Sequence, residues 1–557
     1  MPHTQAQQYS NRGYRHPFLF GIHYLGGVGD NPRTVTDLAM SKYSALLRRQ
    51  PEWWTKYQDE SARVAWRKLG ELPCVLMVET PSATVRAELS EQQIEYVIDE
   101  LAGYAALRDE VHGCQVSCFE RIWESDSLLS HPCNEELRLS LTALEHLPTC
   151  TRNDDSTTIH LIDPMLYCLV YNRTLVSQGH RPPRPIPSPP KTDIYTVCPR
   201  FALLPSDISV DATGKVTFLS YINNLDKDQH APLYTLFERS LTKFIPLFEH
   251  TLTDLHRNNP LPQRILGRCK YTVWDEPDAP EYSDDEEGWS IYERELRHWV
   301  LNRPIQLPDI PQAGYPGGIE DRKLTVSLLG RRLQVIVDVT ETSLRPGGPE
   351  FSGTAWHVKG MRNERIAACS VHCLSAENIS PTSIQFRMAV TYPRGFPAGD
   401  TGATLRTWGL NDGDACHQYI DETPLRTGLS LVFPNIYQHR QTPFKLLDPT
   451  REGRLTLLMF YLIDPDIQPV VSTSSVSPQQ KDWIQRALVT ALSPKLPMEL
   501  IQEIFRHVPG LMDSEKAEDY RRAFLDIQAN FRQASNNYHF CIPFDVWNGP
   551  DLSYMSF

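Results

Sequence analysis

Two stretches decide how the chain is read. One is Thr354-Ala355-Trp356-His357-Val358-Lys359-Gly360, the other Phe433-Pro434-Asn435-Ile436-Tyr437-Gln438-His439-Arg440. Both lie in a region beginning near Arg322 where short β-type segments follow one another. These are Leu324 to Leu329, Leu333 to Val339, Ala355 to Val358, Ile366 to Leu374, Ser383 to Thr391, Gly428 to Phe433 and Leu455 to Ile463. Several alternate apolar with polar residues, and Gly and Pro punctuate them. Short strands with long connections fit a jelly roll, or double-stranded β-helix.

Outward from this core the pattern turns helical. Leu38 to Leu69 carries Trp53, Trp54, Tyr57, Val64 and Trp66, which suit helices anchored to a larger body. Ser90 and Gln93 form a capping box, and Ile94, Val97, Ile98 and Leu101 follow the spacing of one buried helix face. His180 to Pro190 is Pro-rich and predicts an extended strap. Phe201 to Asn223 alternates like paired strands around Asp211-Ala212-Thr213-Gly214, and Pro232 to His256 predicts a helix. The acidic run Asp275 to Glu287 predicts a solvated loop. Helices are expected again from Ser477, over Lys495 to His507 and over Ser514 to Arg532. The expected class is α+β. A mainly helical part spans 1–200, and a strand pair, helix and acidic insert span 201–320. The double-stranded β-helix core spans 321–470, and C-terminal helices packing on it span 471–557.

Composition narrows the partners. Of the 557 residues, 22% are charged and 41% hydrophobic, as in soluble globular chains. No apolar run approaches the ~20 residues that span a bilayer, and Met1 to Tyr14 lacks the apolar centre of a secretory signal. With 55 basic against 68 acidic residues the net charge is −13, which disfavours a nucleic-acid backbone. Twelve Cys without any C-x-x-C read as reduced thiols. The expectation is a cytoplasmic protein with a small-molecule substrate and with neither nucleic acid nor membrane as partner. His372-Cys373 and Cys416-His417 lack a second matched pair for zinc. Asp412 and Asp414 lack the glutamate of a calcium loop. There is no Walker loop, no dinucleotide G-x-G-x-x-G and no G-x-S-x-G elbow.

Non-haem Fe(II) oxygenases bind iron through two His and one carboxylate, leaving open positions for co-substrate and oxygen. Residues i and i+2 of a strand point the same way, so His-x-Asp/Glu supplies two ligands and a distant His the third. An Arg on the following strand can hold the far carboxylate of 2-oxoglutarate bidentately. Here His357, His439 and Arg454 occupy such places, with Arg454 fifteen positions after His439.

The chain resembles the fungal family that carries the domain of unknown function DUF4246. The resemblance is carried by the early Trp-rich helices, Ile162-Asp163-Pro164-Met165-Leu166-Tyr167, Ser220-Tyr221-Ile222-Asn223-Asn224-Leu225 and Phe244-Ile245-Pro246-Leu247-Phe248-Glu249. It continues through Trp356-His357-Val358, Phe433-Pro434-Asn435, Gln438-His439-Arg440, Asp448-Pro449-Thr450 and Ser477-Pro478-Gln479-Gln480. The C-terminal half of that family is similar to prolyl-hydroxylase-type oxygenases that use Fe(II) and 2-oxoglutarate. The resemblance implies His357 and His439 as iron ligands and Arg454 as the 2-oxoglutarate anchor. It also implies a hydroxylation, desaturation or ring-forming step on a small organic molecule in secondary metabolism.

One departure falls on the chemistry. The family motif reads W-H-V-E-G, and this chain has Lys359 in place of the Glu. An ammonium has no acceptor lone pair and repels Fe(II). Four readings of Lys359 follow. The chain is a binding protein without iron, or a non-redox enzyme such as a cyclase or isomerase. In the latter Lys359 is an acid/base or a cation stabilising an oxyanion. Alternatively, Glu364 completes the triad if the chain turns at Gly360, or iron binds through two His alone. The candidate catalytic residues are therefore His357, Lys359 and His439. Asn363 lines the cofactor pocket or pins the next strand.

Overall fold

The computed structural model describes residues 30–145, 150–152, 157–178, 181–190, 197–256, 263–266, 269–271, 276–322, 326–536, 540 and 542–547. Strands of the two central sheets are numbered in chain order. They are β1 Gln115–Val116, β2 Trp123–Ser125, β3 Thr151–Arg152, β4 Thr158–Ile162, β5 Ser206–Val210, β6 Val216–Phe218, β7 Arg332–Leu344, β8 Ile366–Glu377, β9 Ser383–Ala389, β10 His417–Pro424, β11 Ser430–Pro434, β12 Gln438–Gln441 and β13 Gly453–Ile463. Helices of nine residues or more are α1 Val35–Arg48, α2 Glu91–Leu107, α3 His131–Thr142, α4 Ala231–Leu255, α5 Glu286–Asn302, α6 Lys481–Leu492, α7 Met498–Arg506 and α8 Ser514–Ser535.

The larger sheet has ten strands in the order β6-β5-β7-β13-β8-β11-β2-β1, with β4 pairing β7 and β3. The smaller sheet runs β10-β9-β12, and all its pairings are antiparallel. Among the described residues, strand pairing does not join the two sheets into a closed barrel. Period-two alternation gives the centre of the large sheet two apolar faces. Leu458, Phe460 and Leu462 of β13 share one cluster with Phe237, Phe244 and Phe248 of α4. Leu457, Met459 and Tyr461 share the other with Phe386 of β9, Phe433 of β11 and Phe524 of α8. The second face is the one that lines the site.

Several elements follow from local chemistry. Ser90 Oγ accepts from Gln93 N–H and Gln93 Oε1 from Ser90 N–H, the expected capping box at the start of α2. The β5–β6 turn uses Asp211, whose carboxylate accepts from the backbones of Thr213 and Lys215, and Gly214 at φ +86°. α8 buries Ala517, Phe524 and Phe531, an i, i+7 pattern that faces the second cluster.

Five expectations need correction. The part spanning 1–200 is not only helical, because β1–β4 come from it and extend the large sheet. The Pro-rich strap forms a two-stranded ribbon, in which Arg181–Pro185 pairs antiparallel with Leu175–Gln178. The acidic run, of which Asp275 lies outside the described residues, ends inside α5. Asp285 caps that helix by accepting from Gly288 N–H, and Glu286 and Glu287 occupy its first turn, where the helix dipole favours negative charge. Of the expected strand Leu324 to Leu329, residues 324–325 lie outside the described residues and the rest is turn or coil. Ala355 to Val358 is no strand, but a loop touching β12 through one bridge, His357 to His439. Among the described residues no helix is long and apolar enough to cross a membrane.

Candidate functional site

The loop that follows Trp356 is held by backbone pairing. His357 N–H donates to His439 O at 3.2 Å and His439 N–H to His357 O at 2.9 Å, which sets the two side chains next to each other. Their ring centroids lie 4.4 Å apart at 47°. Asn435, fully buried at the end of β11, fixes the next turn. Its Oδ1 accepts from Lys359 N–H at 2.9 Å, and its Nδ2 donates to the carbonyls of Lys359 and Ile366. Gly360 then turns the chain with φ +65°, where an added Cβ would meet Ile366 at 3.0 Å.

His357 Nδ1 lies 2.8 Å from the Ala355 carbonyl, which can only accept, so Nδ1 carries the proton and Nε2 keeps a lone pair. Burial and then the positive charge of Lys359 push the His357 imidazole down to about 3. His439 is pushed well below the ordinary histidine value by burial, by His357 and by Lys359, partly offset by the Tyr437 backbone. Both rings are therefore neutral. His439 is 6% exposed, and its Nδ1 has no hydrogen bond of normal geometry among the described residues.

Lys359 reaches across to the large sheet. Its Nζ lies 4.0 Å from Asp338 Oδ2 and 5.0 Å from the centre of the Tyr461 ring. Asp338 is shared three ways. Tyr461 donates its hydroxyl proton to Oδ2 at 2.7 Å, and His160 Nδ1 lies 3.1 Å from Oδ1. Burial alone would lower the His160 imidazole, but Asp163 and Asp338 outweigh it and raise it. Asp163 in turn accepts from Arg521 of α8 and from Thr151. The charge network thus runs from the pocket to the C-terminal helix.

The remaining sequence candidates are placed elsewhere. The chain does turn at Gly360, yet Glu364 points away from the histidines. Its Oε2 accepts from Met361 N–H at 2.6 Å and its Oε1 from Leu203 N–H at 3.1 Å. Burial raises its carboxyl to about 7 despite those bonds. Asn363 is a clamp, accepting from Cys198 N–H and donating to the Cys198 carbonyl and the Tyr171 hydroxyl. Arg454 shares its side of β13 with Leu458 and Phe460, the face turned to α4, and pairs there with Glu145 at 2.9 Å and Glu341 at 3.2 Å. His357, Lys359 and His439 are together; Arg454, Asn363 and Glu364 do not join them.

These residues do not fit the iron and 2-oxoglutarate implied by the resemblance. The spacing of the two imidazoles suits neighbouring ligands, since metal–nitrogen bonds of about 2.1 Å put ring centres roughly 4.5 Å apart. The third position, however, holds an ammonium, and the expected anchor lies on the other face of the sheet. Among the described residues no group of three His, Cys, Asp or Glu is placed to hold a metal ion. A cleft of about 590 Å³ between Lys270, Asp309, Arg394 and Trp408 shares no lining residue with this site.

Sequence reading missed Asp338, His160, Tyr461, Asn435 and, in the last turn of α8, Arg532, whose charge adds to those that push the His357 imidazole down. Asp338 left a signal, a single carboxylate inside the apolar run Val335-Ile336-Val337-Asp338-Val339. His160 and Arg532 left none, because only the fold brings them to the site.

Residues 91–487 match the family described as a protein of unknown function, DUF4246, and residues 1–68 match its N-terminal domain of unknown function. The chain belongs to the DUF4246 family. No curated protein matches it. Among solved structures it is similar to the Fe(II)/α-ketoglutarate-dependent dioxygenase TqaL, at 10% identity over 63% of this chain and 94% of that one, with a TM-score of 0.23. It is also similar to AviO1 from Streptomyces viridochromogenes Tue57, at 10% identity over 63% of this chain and 93% of that one, with a TM-score of 0.21. A third likeness is to the non-heme alpha ketoglutarate dependent epimerase SnoN from nogalamycin biosynthesis, at 14% identity over 26% of this chain and 56% of that one, with a TM-score of 0.15.

Proposed function

We propose that the chain is a non-redox enzyme for a small organic molecule, built on the double-stranded β-helix of the iron oxygenases but working without iron. The strand orders support that core: β7-β13-β8-β11 in one sheet, and β10-β9-β12 continued by the His357 bridge in the other. The observation that carries the reading is Lys359, whose ammonium sits beside two neutral imidazoles where a carboxylate donor would be needed for metal.

The roles follow from the atoms. Lys359 offers positive charge and N–H donors to an oxygen that becomes negative, as in an enolate. His357 Nε2 offers the lone pair that takes a proton from the neighbouring carbon or hydroxyl. An imidazole at about 3 is a weak base, and a negatively charged substrate beside it raises that value toward the working range. The product is an isomer of the substrate, or differs from it by one water.

The test is to incubate the full chain with small-molecule extracts under chelation and without oxygen. Mass spectrometry then follows any compound consumed. The expected product has unchanged mass or a change of one water, and Lys359→Ala abolishes its formation. Turnover that requires Fe(II) and oxygen and releases succinate from 2-oxoglutarate overturns the reading.

A further inference from the structure

Half-buried cations without a carboxylate partner are uncommon, because desolvation of the charge is then uncompensated. Arg532, in the last turn of α8, is such a group. It is partly buried, and among the described residues its side chain has no hydrogen bond or ion pair. It stands three turns from Arg521, which is tied into the Asp163 network from the same helix, and about one turn before Asn536, whose Oδ1 accepts from Gln438 Nε2 of β12 next to His439; its charge adds to those that push the His357 imidazole down. Lys359 is the second cation. Its carboxylate neighbour, Asp338, is 4.0 Å away and already bonded to Tyr461 and His160.

A third observation is independent of charge. His439 Nδ1 is a polar atom in a side chain 94% buried, and it makes no hydrogen bond of normal geometry among the described residues, although the Tyr437 backbone is close enough to act on the ring. A buried polar atom of this kind is expected to be satisfied by something. A metal ion is the ordinary answer for a paired histidine, but the neighbouring ammonium repels one. An organic anion answers all three observations, because it compensates Arg532 and Lys359 and brings oxygen atoms within reach of His439.

We infer that the pocket takes a small organic carboxylate, held between Lys359 of the loop and Arg532 of α8, with a second polar atom bonded to His439 Nδ1. The inference rests on the non-redox reading and names its substrate class. Because Arg532 belongs to α8 and Lys359 to the loop beside β12, the anion bridges the helix and the smaller sheet.

The experiment is calorimetric titration of the full chain in chelator at constant ionic strength. The probes are acetate, benzoate, succinate and citrate, with succinamide as the neutral counterpart of succinate and inorganic phosphate as a non-organic anion. Saturable binding of at least one carboxylate is expected, with succinamide at least tenfold weaker than succinate. Lys359→Met and Arg532→Met are each expected to weaken the bound carboxylate at least tenfold, and Arg532→Lys to stay within threefold. Thermal unfolding of each variant shows that the fold is kept, and since the two cations lie on different elements, either variant alone can decide. Four results overturn the inference. No probe carboxylate binds, succinamide or phosphate binds as tightly, either folded Met variant binds like the original chain, or binding appears only after Fe(II) is added. Failure here is distinct from failure of the non-redox reading, which Fe(II)- and oxygen-dependent turnover decides.

Discussion

Lys359 Nζ stands 4.0 Å from Asp338 Oδ2, so the ammonium that displaces a metal-binding carboxylate faces a buried carboxylate on the opposite sheet. The pair is not isolated. Asp338 is 4% exposed and also serves Tyr461 and His160, so one strand residue organises the polar side of the pocket. Burial, then the Asp338 charge, raise the Tyr461 hydroxyl well above its ordinary value, which keeps it a neutral donor.

Asp338→Asn tests this arrangement. The amide still accepts from Tyr461, but His160 loses one of the two carboxylates that raise it. The His160 pKa is expected to fall, read from the pH titration of its ring protons by NMR with His160→Gln for assignment. Stability is expected to drop by about 1–3 kcal/mol in chemical denaturation. An unmoved His160 titration would show that Asp338 does not set its charge.

Arg454→Ala tests which face the expected anchor serves. Burial raises the Glu341 carboxyl and Arg454 opposes that rise, so truncation is expected to raise it further. The side chain is 38% exposed, so solvent screens the pair and the stability loss should stay near about 1 kcal/mol. Carboxylate binding in the pocket is expected to stay within twofold. A tenfold loss of that binding would place Arg454 functionally in the site.

Much of this was legible in the chain before folding. β7, β8, β9, β11 and β13 fall where alternation put them, and α2, α4 and α8 begin within a few residues of their sequence signals. The histidine pair was legible because its motifs are local. Arg454 misled because spacing along the chain does not fix a face: one residue of register decides whether a strand side chain meets the pocket or α4. Glu364 misled because a turn at Gly360 leaves two directions open, and the N–H groups of Met361 and Leu203 decided between them. Asp338, His160 and Arg532 come from segments nearly 400 residues apart in the extreme, and no local pattern links them.

The pH dependence of stability carries two opposed contributions. His372 is fully buried, with Nε2–H donating to Asn134 Oδ1 at 2.7 Å and Nδ1 facing Ser430 Oγ at 2.9 Å. Burial pushes it down to about 4, so below about 6.5 the unfolded chain takes up the proton first and stability falls as pH falls toward 4. Glu364 works the other way. Raised to about 7 in the fold, it contributes stability that is complete below about 4.5 and lost as pH rises through 7. Between those limits the two largely cancel. Glu364→Gln is therefore expected to steepen the acid loss by about 1.4 kcal/mol per pH unit in that window, and His372→Asn to flatten it by a similar amount. Unfolding free energies from pH 4 to 7.5 check both signs, and equal slopes in all three proteins would refute the assignment.

Lys359→Glu reverses the substitution that defines this site. The backbone bridge between His357 and His439 is untouched by it, and their 4.4 Å ring separation already suits two neighbouring ligands of one metal. A carboxylate at 359, where the ammonium now acts on both imidazoles, supplies the missing donor. Without metal the new Glu faces Asp338 with like charge, so the variant is expected to be less stable than the original chain and to recover on adding Co(II), a spectroscopic stand-in for Fe(II). Its Co(II) affinity should exceed that of the original chain at least tenfold, with a matching rise in Tm through ligand linkage. Lys359→Gln removes the ammonium without adding charge and separates two causes. If Gln gains as much metal affinity as Glu, repulsion by the ammonium is the whole barrier and Asp338 or another group completes the coordination. If only Glu gains it, the pocket is an oxygenase centre altered at one donor. Succinate binding should weaken in both variants, because each removes the cation that holds the carboxylate.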